Sequence, residues 1–198
     1  MASIEKDFIK KQIQDSITTK QLLLEEISLI GLIEQVVEVT VNAYNNGAKT
    51  MLAGNGGSAA DAQHIAAELV NKLCFDRPAL ASVALTTDTS VLTAVVNDSS
   101  VESMFSRQIE ANGKPGDVFI GISTSGNSAN IVAALKKARE VGIITVGFTG
   151  GQIGNMDEFC DYCLKVPSMN TPRIQECHIL MGHIICTMVE EQLFGHLK

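Results

Sequence analysis

From about residue 49 onward, short apolar runs alternate with longer segments of helical pattern, and this alternation restricts the fold more than any other feature. The runs are almost continuously apolar, as expected for strands that are buried on both faces. They cover residues 50–53, 81–85, 118–122, 143–148 and 162–166. We therefore predict an α/β fold in three layers, a doubly wound parallel sheet of about five strands with helices on both faces.

The segments between these strands carry the start and stop signals of helices. They predict helices over residues 58–72, from Asp88 onward, over 101–111 and over 129–141. Ser58 has the chemistry of an N-cap, with Asp61 at the third helical position. A long C-terminal helix is predicted to begin at Thr171, with Thr171 as its N-cap and Pro172 as its first helical residue.

Residues 3–46 precede the alternating region, and their apolar residues recur every three to four positions, which predicts two helices. Gly31 is the predicted break between them, and Asn46-Gly47 is the predicted stop. The sequence shows no linker, repeat or low-complexity segment. We therefore predict one domain over residues 1–198, with a helical segment at 1–48 and an α/β core at 49–198.

The net charge of the chain limits the classes of partner that it can bind. Its formal net charge is −7 at pH 7 and its pI is near 5.1, so we expect no nucleic-acid partner, which would need a basic face. No apolar run reaches the roughly 18 residues that span a bilayer, and the charged start of the chain lacks the apolar core of a signal peptide. These features predict a cytoplasmic protein without a membrane partner.

The five cysteines are spaced unevenly, so no disulfide framework is expected. Cys160 and Cys163 form a C-x-x-C pair, but no second pair follows at the spacing of a zinc ribbon. We interpret both as small apolar residues of the interior.

A glycine-rich turn at residues 54–57, called here the glycine turn, follows the first predicted strand and leads into a helix. Small residues let the backbone approach a ligand closely, and a helix N-terminus favours anions. His64 and Glu68 lie four residues apart on one face of this helix, where they can bind one metal ion or one substrate. A structural histidine and a solvated glutamate are the alternative explanation of the same pair.

A second turn at residues 123–128, called here the serine turn, contains four hydroxyl side chains: Ser123, Thr124, Ser125 and Ser128. Hydroxyl and backbone N–H donors beside a helix N-terminus form a phosphate site without lysine, and an ordinary capped turn is the alternative. Both turns follow the carboxyl ends of strands, where open α/β sheets bind ligands. Neither matches the P-loop pattern, so nucleotide-dependent phosphoryl transfer is disfavoured.

Several groups of residues together resemble the sugar isomerase (SIS) domain family and, within it, the heptose isomerase branch. They are the turn at 53–59, the helix from Asp61 to Glu68, Asn97-Asp98, the serine turn and the spacing of Gln175 and His183. The resemblance covers essentially the whole chain. Many SIS domains share the serine turn, whereas His64 and Glu68 together with Gln175 and His183 are specific to the heptose isomerase branch.

The resemblance implies an aldose–ketose isomerase that converts D-sedoheptulose 7-phosphate to D-glycero-D-manno-heptose 7-phosphate, the first step towards ADP-heptose for the lipopolysaccharide core. It implies a homotetramer with one zinc ion per subunit, bound through His64, Glu68, Gln175 and His183. The substrate contacts that it implies are Asn55, Gly56, Gly57, Glu68, Asn97, Asp98, Ser123, Thr124, Ser125, Ser128 and Gln175. Lys72 stands where the family usually has arginine, so a point charge replaces a planar fork at that position.

Isomerisation moves a proton between C1 and C2, which needs a base for the C–H group and an acid for the oxygen that gains charge. We predict Glu68 as the base and His183 as the acid. Gln175 and His183 are eight residues apart on one predicted helix, about 12 Å along its axis. Sharing one metal within one subunit is therefore difficult. We predict that His183 or its partners come from a neighbouring subunit, which places the active site at a subunit interface.

Two other functions share parts of this pattern. A non-catalytic SIS-domain regulator that binds a replication-initiation protein has the same fold, but it has no need of His64, Glu68, Gln175 and His183 together. An isomerase of another ketose phosphate has the same phosphate turn and differs in the middle of the pocket. A transcriptional regulator is disfavoured, because the sequence shows no appended DNA-binding domain.

Overall fold

Strands and helices alternate as predicted in a computed structural model, which describes residues 2–198 and the side chains of residues 5–198. The strands are β1 (Thr50–Gly54), β2 (Ser82–Ala84), β3 (Val118–Ile122), β4 (Ile144–Gly150) and β5 (Tyr162–Val166). The α-helices are α1 (Ala2–Glu25), α2 (Ile27–Asn45), α3 (Gly57–Val70), α4 (Thr89–Asp98), α5 (Ser103–Asn112), α6 (Ala129–Glu140) and α7 (Thr171–Phe194). Short 3₁₀ turns occupy Asp157–Phe159 and Gly195–Leu197.

The five strands form one parallel sheet in the order β2–β1–β3–β4–β5. β1 and β3 pair along their whole length, from Thr50 opposite Val118 to Gly54 opposite Ile122. The strand order changes direction between β1 and β3, and open α/β sheets bind ligands at such a switch point. The glycine turn follows β1 and the serine turn follows β3, so the topology brings the two turns to the same crevice.

Helices cover both faces of the sheet, which confirms the three-layer prediction. On one face, side chains of α2, α3 and α7 pack against the sheet, and they include Val36, Val37, Ile65, Leu69, Met181 and Ile185. On the other face, the packing side chains come from α5 and α6 and include Phe105, Ile109, Ile131 and Leu135. Alternate residues of each strand point to opposite faces, so continuous apolar strands supply both interfaces.

The break between the two N-terminal helices lies at Glu26, not at Gly31 as predicted. Glu26 leaves the helical conformation at φ −82° and ψ 83°, whereas Gly31 lies inside α2. A glycine within a helix costs about 1 kcal/mol relative to alanine. Burial of Leu29 and Ile33 on the same helix offsets that cost.

α2 is the one helix in residues 2–198 that is long and apolar enough, by length and composition, to cross a membrane. Its apolar side packs against the sheet through residues that are almost fully buried: Leu29, Ile33, Val36 and Val37. Glu34 and Glu38 lie outside this buried set. A helix with one buried apolar side is typical of a protein core.

Two predicted helix caps are displaced by the local backbone. α3 begins at Gly57 with Gly56 in the capping position, so Ser58 is a buried residue of the first turn and not the N-cap. α7 is capped by Asn170, so Thr171 is its first helical residue and Pro172 the second. The prediction of a helix starting near Asp88 is confirmed, because the Asp88 carboxylate accepts the N–H of Val91 and caps α4.

Candidate active site

The glycine turn requires glycine at two positions for different reasons. Gly56 has φ +55°, in the region that disfavours residues with a Cβ atom. A Cβ on Gly57 would lie 2.7 Å from Nε2 of Gln175, so a larger residue would displace that side chain. Within residues 2–198, the backbone N–H groups of Gly56 and Gly57 donate to no protein acceptor. The turn therefore presents free donors at the N-terminus of α3.

The serine turn is held in shape by its own hydroxyl groups. Ser123 Oγ and Ser128 Oγ lie 2.8 Å apart, and Ser125 Oγ accepts the N–H of Asn127 at 3.2 Å. Gly126, with φ +69°, reverses the chain between them. The turn is bonded to the neighbouring strand β4, through Ser123 N–H to the Phe148 carbonyl at 3.0 Å. The result is a rigid set of hydroxyl groups at the N-terminus of α6.

A small cavity of about 70 Å³ opens beside the serine turn. Its lining comes from the serine turn, the loop after β4, the segment before α7 and the first turn of α7: Thr124, Ser125, Gln152, Ser168, Met169, Thr171 and Ile174. The wall is rich in hydroxyl groups and contains neither lysine nor arginine. Such a wall has the chemistry of an anion site in which donors and helix N-termini replace cationic side chains, so the predicted phosphate site stays a prediction here.

His64, Glu68 and His183 form a carboxylate–imidazole cluster on the adjoining faces of α3 and α7. Nε2 of His64 lies 2.8 Å from Oε1 of Glu68 and 3.1 Å from Nε2 of His183. His183 Nε2 lies 3.4 Å from the same Glu68 oxygen. The side chains of His64 and His183 are 51% and 41% exposed, and that of Glu68 is 14% exposed. The cluster is therefore open to a ligand on the imidazole side and closed on the carboxylate side.

Two helices can approach closely at this cluster because of a glycine. A Cβ on Gly182 would lie 2.6 Å from Cδ1 of Ile65, so a larger residue would displace that buried side chain or move α7 away from α3. Ile65 and Gly182 directly follow and precede the two histidines. The glycine was not identified by sequence reasoning, and its position next to a candidate site histidine was the available signal.

The donor set of the cluster suits a divalent metal ion such as zinc. The three ligand atoms of His64, Glu68 and His183 all lie within 4.8 Å of one another. The second oxygen of Glu68, Oε2, is buried without a hydrogen-bond partner within the described residues. A buried carboxylate oxygen without a donor is costly unless a cation lies nearby. Two imidazoles and a carboxylate are also the donors that zinc binds in enzymes.

Asp61 is a neighbour of the cluster that sequence reasoning did not count among the site residues. It lies one turn before His64 on the same side of α3, and its Oδ2 is buried without a partner within the described residues. Burial raises the pKa of Asp61, while the nearby His64 and His183 oppose the shift. Asp61 adds negative potential behind the cluster and strengthens its attraction for a cation.

The structure separates Gln175 from the other three predicted zinc ligands within one chain. Gln175 packs against Gly57 at the glycine turn, two helical turns from His183. His183 meets His64 and Glu68 within the same chain, so the part of the interface prediction that brings His183 from a neighbouring subunit is corrected. The spacing of Gln175 and His183 along the helix indicated that the two residues cannot easily share one metal ion within one chain. In the structure, Gln175 is the residue that lies apart from the cluster of His64, Glu68 and His183.

Asn97 and Asp98 lie at the C-terminal end of α4, and the Asn97 amide donates to the Asp98 carboxylate at 2.7 Å. Neither side chain is hydrogen-bonded to the glycine or serine turn. Asp98 lines a separate cavity of about 530 Å³ together with Arg107 and Lys137. Their predicted contact with the same substrate therefore stays a prediction.

A buried ion pair holds the C-terminal end of α3, which ends at Val70 rather than at Lys72. Arg77 pairs with Glu190 of α7 at 2.9 Å and donates to the carbonyls of Glu68 and Leu69. Burial alone raises the pKa of Glu190, but the N–H groups of Leu73 and Cys74 and the Arg77 guanidinium lower it overall. Arg77 thus fixes the backbone that carries Glu68. Lys72, which follows this helix, pairs with Asp76.

His178 is a core residue, five positions before His183 on the same helix. It is fully buried, packs against the Phe148 ring in a tilted arrangement, and its Nε2–H donates to the Thr149 carbonyl at 3.2 Å. Burial lowers its pKa to about 4, against which the Thr149 hydrogen bond acts. His178 is therefore neutral at pH 7 and belongs to the packing of α7 on the sheet.

Cys160 and Cys163 are only partly buried, so their interpretation as interior residues is half right. The Cys163 thiol donates to Asp157 at 3.5 Å. A hydrogen bond with Cys163, together with burial, raises the pKa of Cys160. Such a thiol is a weak nucleophile at neutral pH.

Comparisons with known proteins identify the family of the chain. The family model of the SIS domain matches residues 18–150. The chain is 60% identical over 188 residues to a phosphoheptose isomerase of Aneurinibacillus thermoaerophilus, and the match covers 95% of each chain. It is 58% identical over 188 residues to phosphoheptose isomerase 2 of Campylobacter jejuni, covering 95% of this chain and 94% of the other.

A solved structure extends the comparison to the fold. The structure of phosphoheptose isomerase from Neisseria gonorrhoeae superposes with a TM-score of 0.88 at 41% sequence identity, covering 94% of this chain and 98% of the other. Sequence and fold therefore agree over nearly the full length. The chain belongs to the phosphoheptose isomerase family of SIS-domain proteins and is an aldose–ketose isomerase.

Proposed function

We propose that the protein converts D-sedoheptulose 7-phosphate to D-glycero-D-manno-heptose 7-phosphate through a cis-enediol. The observation that carries this proposal is the cluster of His64, Glu68 and His183 in a chain 60% identical to a phosphoheptose isomerase. The cluster joins a carboxylate, which can remove a proton, to imidazoles, which can deliver one. A non-catalytic regulator has no use for that arrangement.

Glu68 is the proposed base for the proton that moves between C1 and C2. Its carboxylate is fixed on α3 between two imidazoles, and its Oε2 has no hydrogen-bond donor within the described residues. An oxygen without a donor has a free lone pair that can accept a proton from carbon. Glu68 takes the proton from one carbon and returns it to the other.

His183 is the proposed acid for the substrate oxygen that gains charge as the enediol forms. Its Nε2 lies 3.4 Å from Oε1 of Glu68, so the two groups can act on adjacent atoms of one substrate. Its half-exposed ring faces the open side of the cluster, where a substrate can enter. Proton donation at this oxygen keeps negative charge from accumulating.

The serine turn is the proposed anchor for the phosphate. The glycine turn lies beside it, and His64 is seven residues along α3 from Gly57, about 10 Å by helical rise. The phosphate of the proposed substrate is on C7, remote from the reacting C1 and C2. An anion site and a proton-transfer site that are separated along one helix suit a substrate whose phosphate is remote from its reacting carbons. Together the two sites fix the orientation of that substrate.

We propose one zinc ion per subunit, held by His64, Glu68 and His183, with Gln175 as the fourth predicted ligand. The buried, unpartnered Oε2 of Glu68 supports this assignment. When bound, zinc supplies Lewis-acid polarisation of the carbonyl and hydroxyl oxygens. Because Gln175 stands apart within one chain, its part in the site is the least supported by the geometry.

We propose a homotetramer with the active site at a subunit interface. α1 supports it, because large apolar side chains on this helix remain exposed in the single chain, including Phe8 at 62% and Ile13 at 57%. Exposed apolar stripes of this kind mark protein–protein contacts. Light scattering tests the assembly: Ile13→Glu lowers the mass of the particle, whereas Lys10→Glu on the same helix leaves it unchanged.

We propose that the protein works in the cytoplasm, on the first step towards ADP-heptose for the lipopolysaccharide core. The family membership supports the reaction, and the acidic composition, with a formal net charge of −7, fits a small-molecule enzyme. Deletion of the gene for this chain tests this place in the pathway, because the cellular concentration of sedoheptulose 7-phosphate should then rise.

The decisive experiment is an assay of purified protein with sedoheptulose 7-phosphate, before and after metal removal and after zinc is restored. We expect formation of the aldoheptose phosphate that is lost with the metal and regained with zinc. Ribulose 5-phosphate serves as the comparison substrate, and its faster turnover would assign another ketose phosphate. Absence of turnover on both, in a zinc-loaded oligomer, would favour the regulator.

A further inference from the structure

Beyond the serine turn itself, a buried amide connects the two ligand-binding turns. Asn130 is the second residue of α6 and is 6% exposed. Its Nδ2 donates to Oδ1 of Asn55 at 2.9 Å, and Nδ2 of Asn55 donates to Oδ1 of Asn130, also at 2.9 Å. The two side chains, 75 positions apart, form a reciprocal amide pair.

This pair has no backbone substitute. The ladder between β1 and β3 ends at Gly54 and Ile122, and beyond it no backbone hydrogen bond joins residues 55–58 to residues 123–130. The serine turn is bonded instead towards β4, through the Phe148 carbonyl and the N–H of Gly150. Within the described residues, the amide pair supplies the hydrogen bonds between the glycine turn and the first turn of α6, which directly follows the serine turn.

The pair also engages a predicted substrate contact. Asn55 directly follows β1 and precedes the free N–H groups of Gly56 and Gly57, but its side-chain amide is taken up by Asn130. The pair uses one N–H and one lone pair of the Asn55 amide and so fixes the orientation of this exposed side chain beside the backbone donors of the glycine turn. Only a side chain with one donor and one acceptor in the same plane can complete this pair.

We infer that Asn130 is a positioning residue, which sets the distance between the glycine turn and the serine turn and thereby the affinity for the substrate's phosphate. Asn130 acts through Asn55 and the turn backbone, and it does not touch the reacting carbons. The inference rests on the proposed phosphate anchor at the serine turn. It adds a residue that acts on binding and leaves the proton transfer at Glu68 and His183 unchanged.

The test is Asn130→Asp, which keeps the shape, removes the donor to Asn55 and places two oxygens against each other. We expect the KM for sedoheptulose 7-phosphate to rise about tenfold or more, since two hydrogen bonds between the turns are disturbed. The inhibition constant of inorganic phosphate should rise in parallel, with kcat unchanged within about threefold. Asn130→Ala should give the same direction if the aspartate variant does not fold.

Gln108→Glu is the matched control. Gln108 lies on α5, outside both turns, and is also buried, at 7% exposure. Its side-chain amide donates to the Leu85 carbonyl at 2.9 Å. This variant should lower the melting temperature while leaving the KM and the phosphate inhibition constant unchanged. Equal loss of kcat and stability in Asn130→Asp, with an unchanged phosphate constant, would reduce Asn130 to a structural residue and overturn the inference.

A double-mutant cycle tests whether Asn55 and Asn130 act as one hydrogen-bonded pair or as two independent residues. Asn55→Ala and Asn130→Ala remove the same two hydrogen bonds, so their effects on KM should not add. Additive effects would mean that the residues act independently and would contradict the inference. Stabilisation of the wild-type protein by inorganic phosphate, measured as a melting shift, tests the anchor without turnover, so failure of the isomerase assignment is distinguishable from failure of this inference.

Discussion

The carboxylate–imidazole cluster and the serine turn are built in opposite ways. The cluster brings residues 119 positions apart onto two helices and leaves a buried oxygen of Glu68 without a partner. The serine turn is six consecutive residues whose hydroxyl groups bond one another, as with Ser123 and Ser128 at 2.8 Å. The cluster keeps a polar atom free for a ligand, whereas the serine turn is held in shape by contacts within one segment before any ligand binds. The contrast predicts that changes in the cluster act on kcat and changes in the turn act on KM.

The largest effect is expected for Glu68→Gln. The amide keeps the size of the side chain but cannot accept a proton from carbon, so kcat should fall about a thousandfold or more. Substrate should still bind, as measured by calorimetry, because the serine turn is intact. Glu191→Gln on the exposed side of α7 is the control. Retained turnover in Glu68→Gln would remove the base assignment.

A smaller loss, about a hundredfold in kcat, is expected for His183→Gln, because one acid group disappears while the orientation of substrate remains. His178→Gln is the comparison on the same helix, and its turnover at pH 7.5 should be unchanged since His178 is a core residue. Steady-state kinetics with both variants checks this. Similar losses in the two would indicate damage to α7 and not to the acid.

Ser128→Ala should act mainly on KM, with a rise of about tenfold and kcat within a few fold, because a hydroxyl of the proposed phosphate anchor is lost. Ser128 also bonds Ser123, so the shape of the turn is loosened. Ser90→Ala in the exposed first turn of α4 controls for the substitution. A fall in kcat at constant KM would break the division between the two regions.

For His178→Gln we expect the smallest effect on catalysis and the clearest effect on the pH dependence of stability. Its folded pKa of about 4 lies below the ordinary value of 6.5, so the unfolded chain binds the extra proton between these values. Neutral His178 therefore makes its full contribution to the free energy of unfolding above pH 6.5. This contribution decreases by about 3 kcal/mol as the pH falls from 6.5 to 4.

Urea unfolding at pH 7.5 and pH 5.0 measures this loss. His178→Gln should show a smaller fall in the free energy of unfolding than wild type, because the titrating group is gone. His196→Gln, at an exposed position, should keep the wild-type pH dependence. An equal fall in both variants would assign the acid sensitivity to other groups.

Local patterns predicted most of the fold because each rests on neighbouring residues. Continuous apolar strands between helical segments require a covered parallel sheet, and the observed strands β3 and β5 match the predicted bounds. The errors are also local: the break at Glu26 and the caps at Gly56 and Asn170 depend on backbone angles that residue type alone does not determine. Within one or two residues, propensities allow several choices.

The candidate site was less predictable than the fold. His64 and Glu68 share a helix face by spacing alone, so the sequence places them together. Nothing local distinguishes His178 from His183, since both lie on one largely apolar helix. Packing decides, by burying the first under Phe148 and turning the second towards α3. The family resemblance supplied what spacing could not.

By itself, the sequence determined the α/β architecture, the two ligand-type turns at strand ends and the pairing of His64 with Glu68, because these follow from periodicity and turn chemistry. Only the tertiary structure decided that His183 completes the cluster within one chain, that Gln175 faces the glycine turn, and that Asn130 joins the two turns. Each is a contact between segments distant in sequence. Such contacts depend on how helices pack on a shared sheet, which no local pattern records.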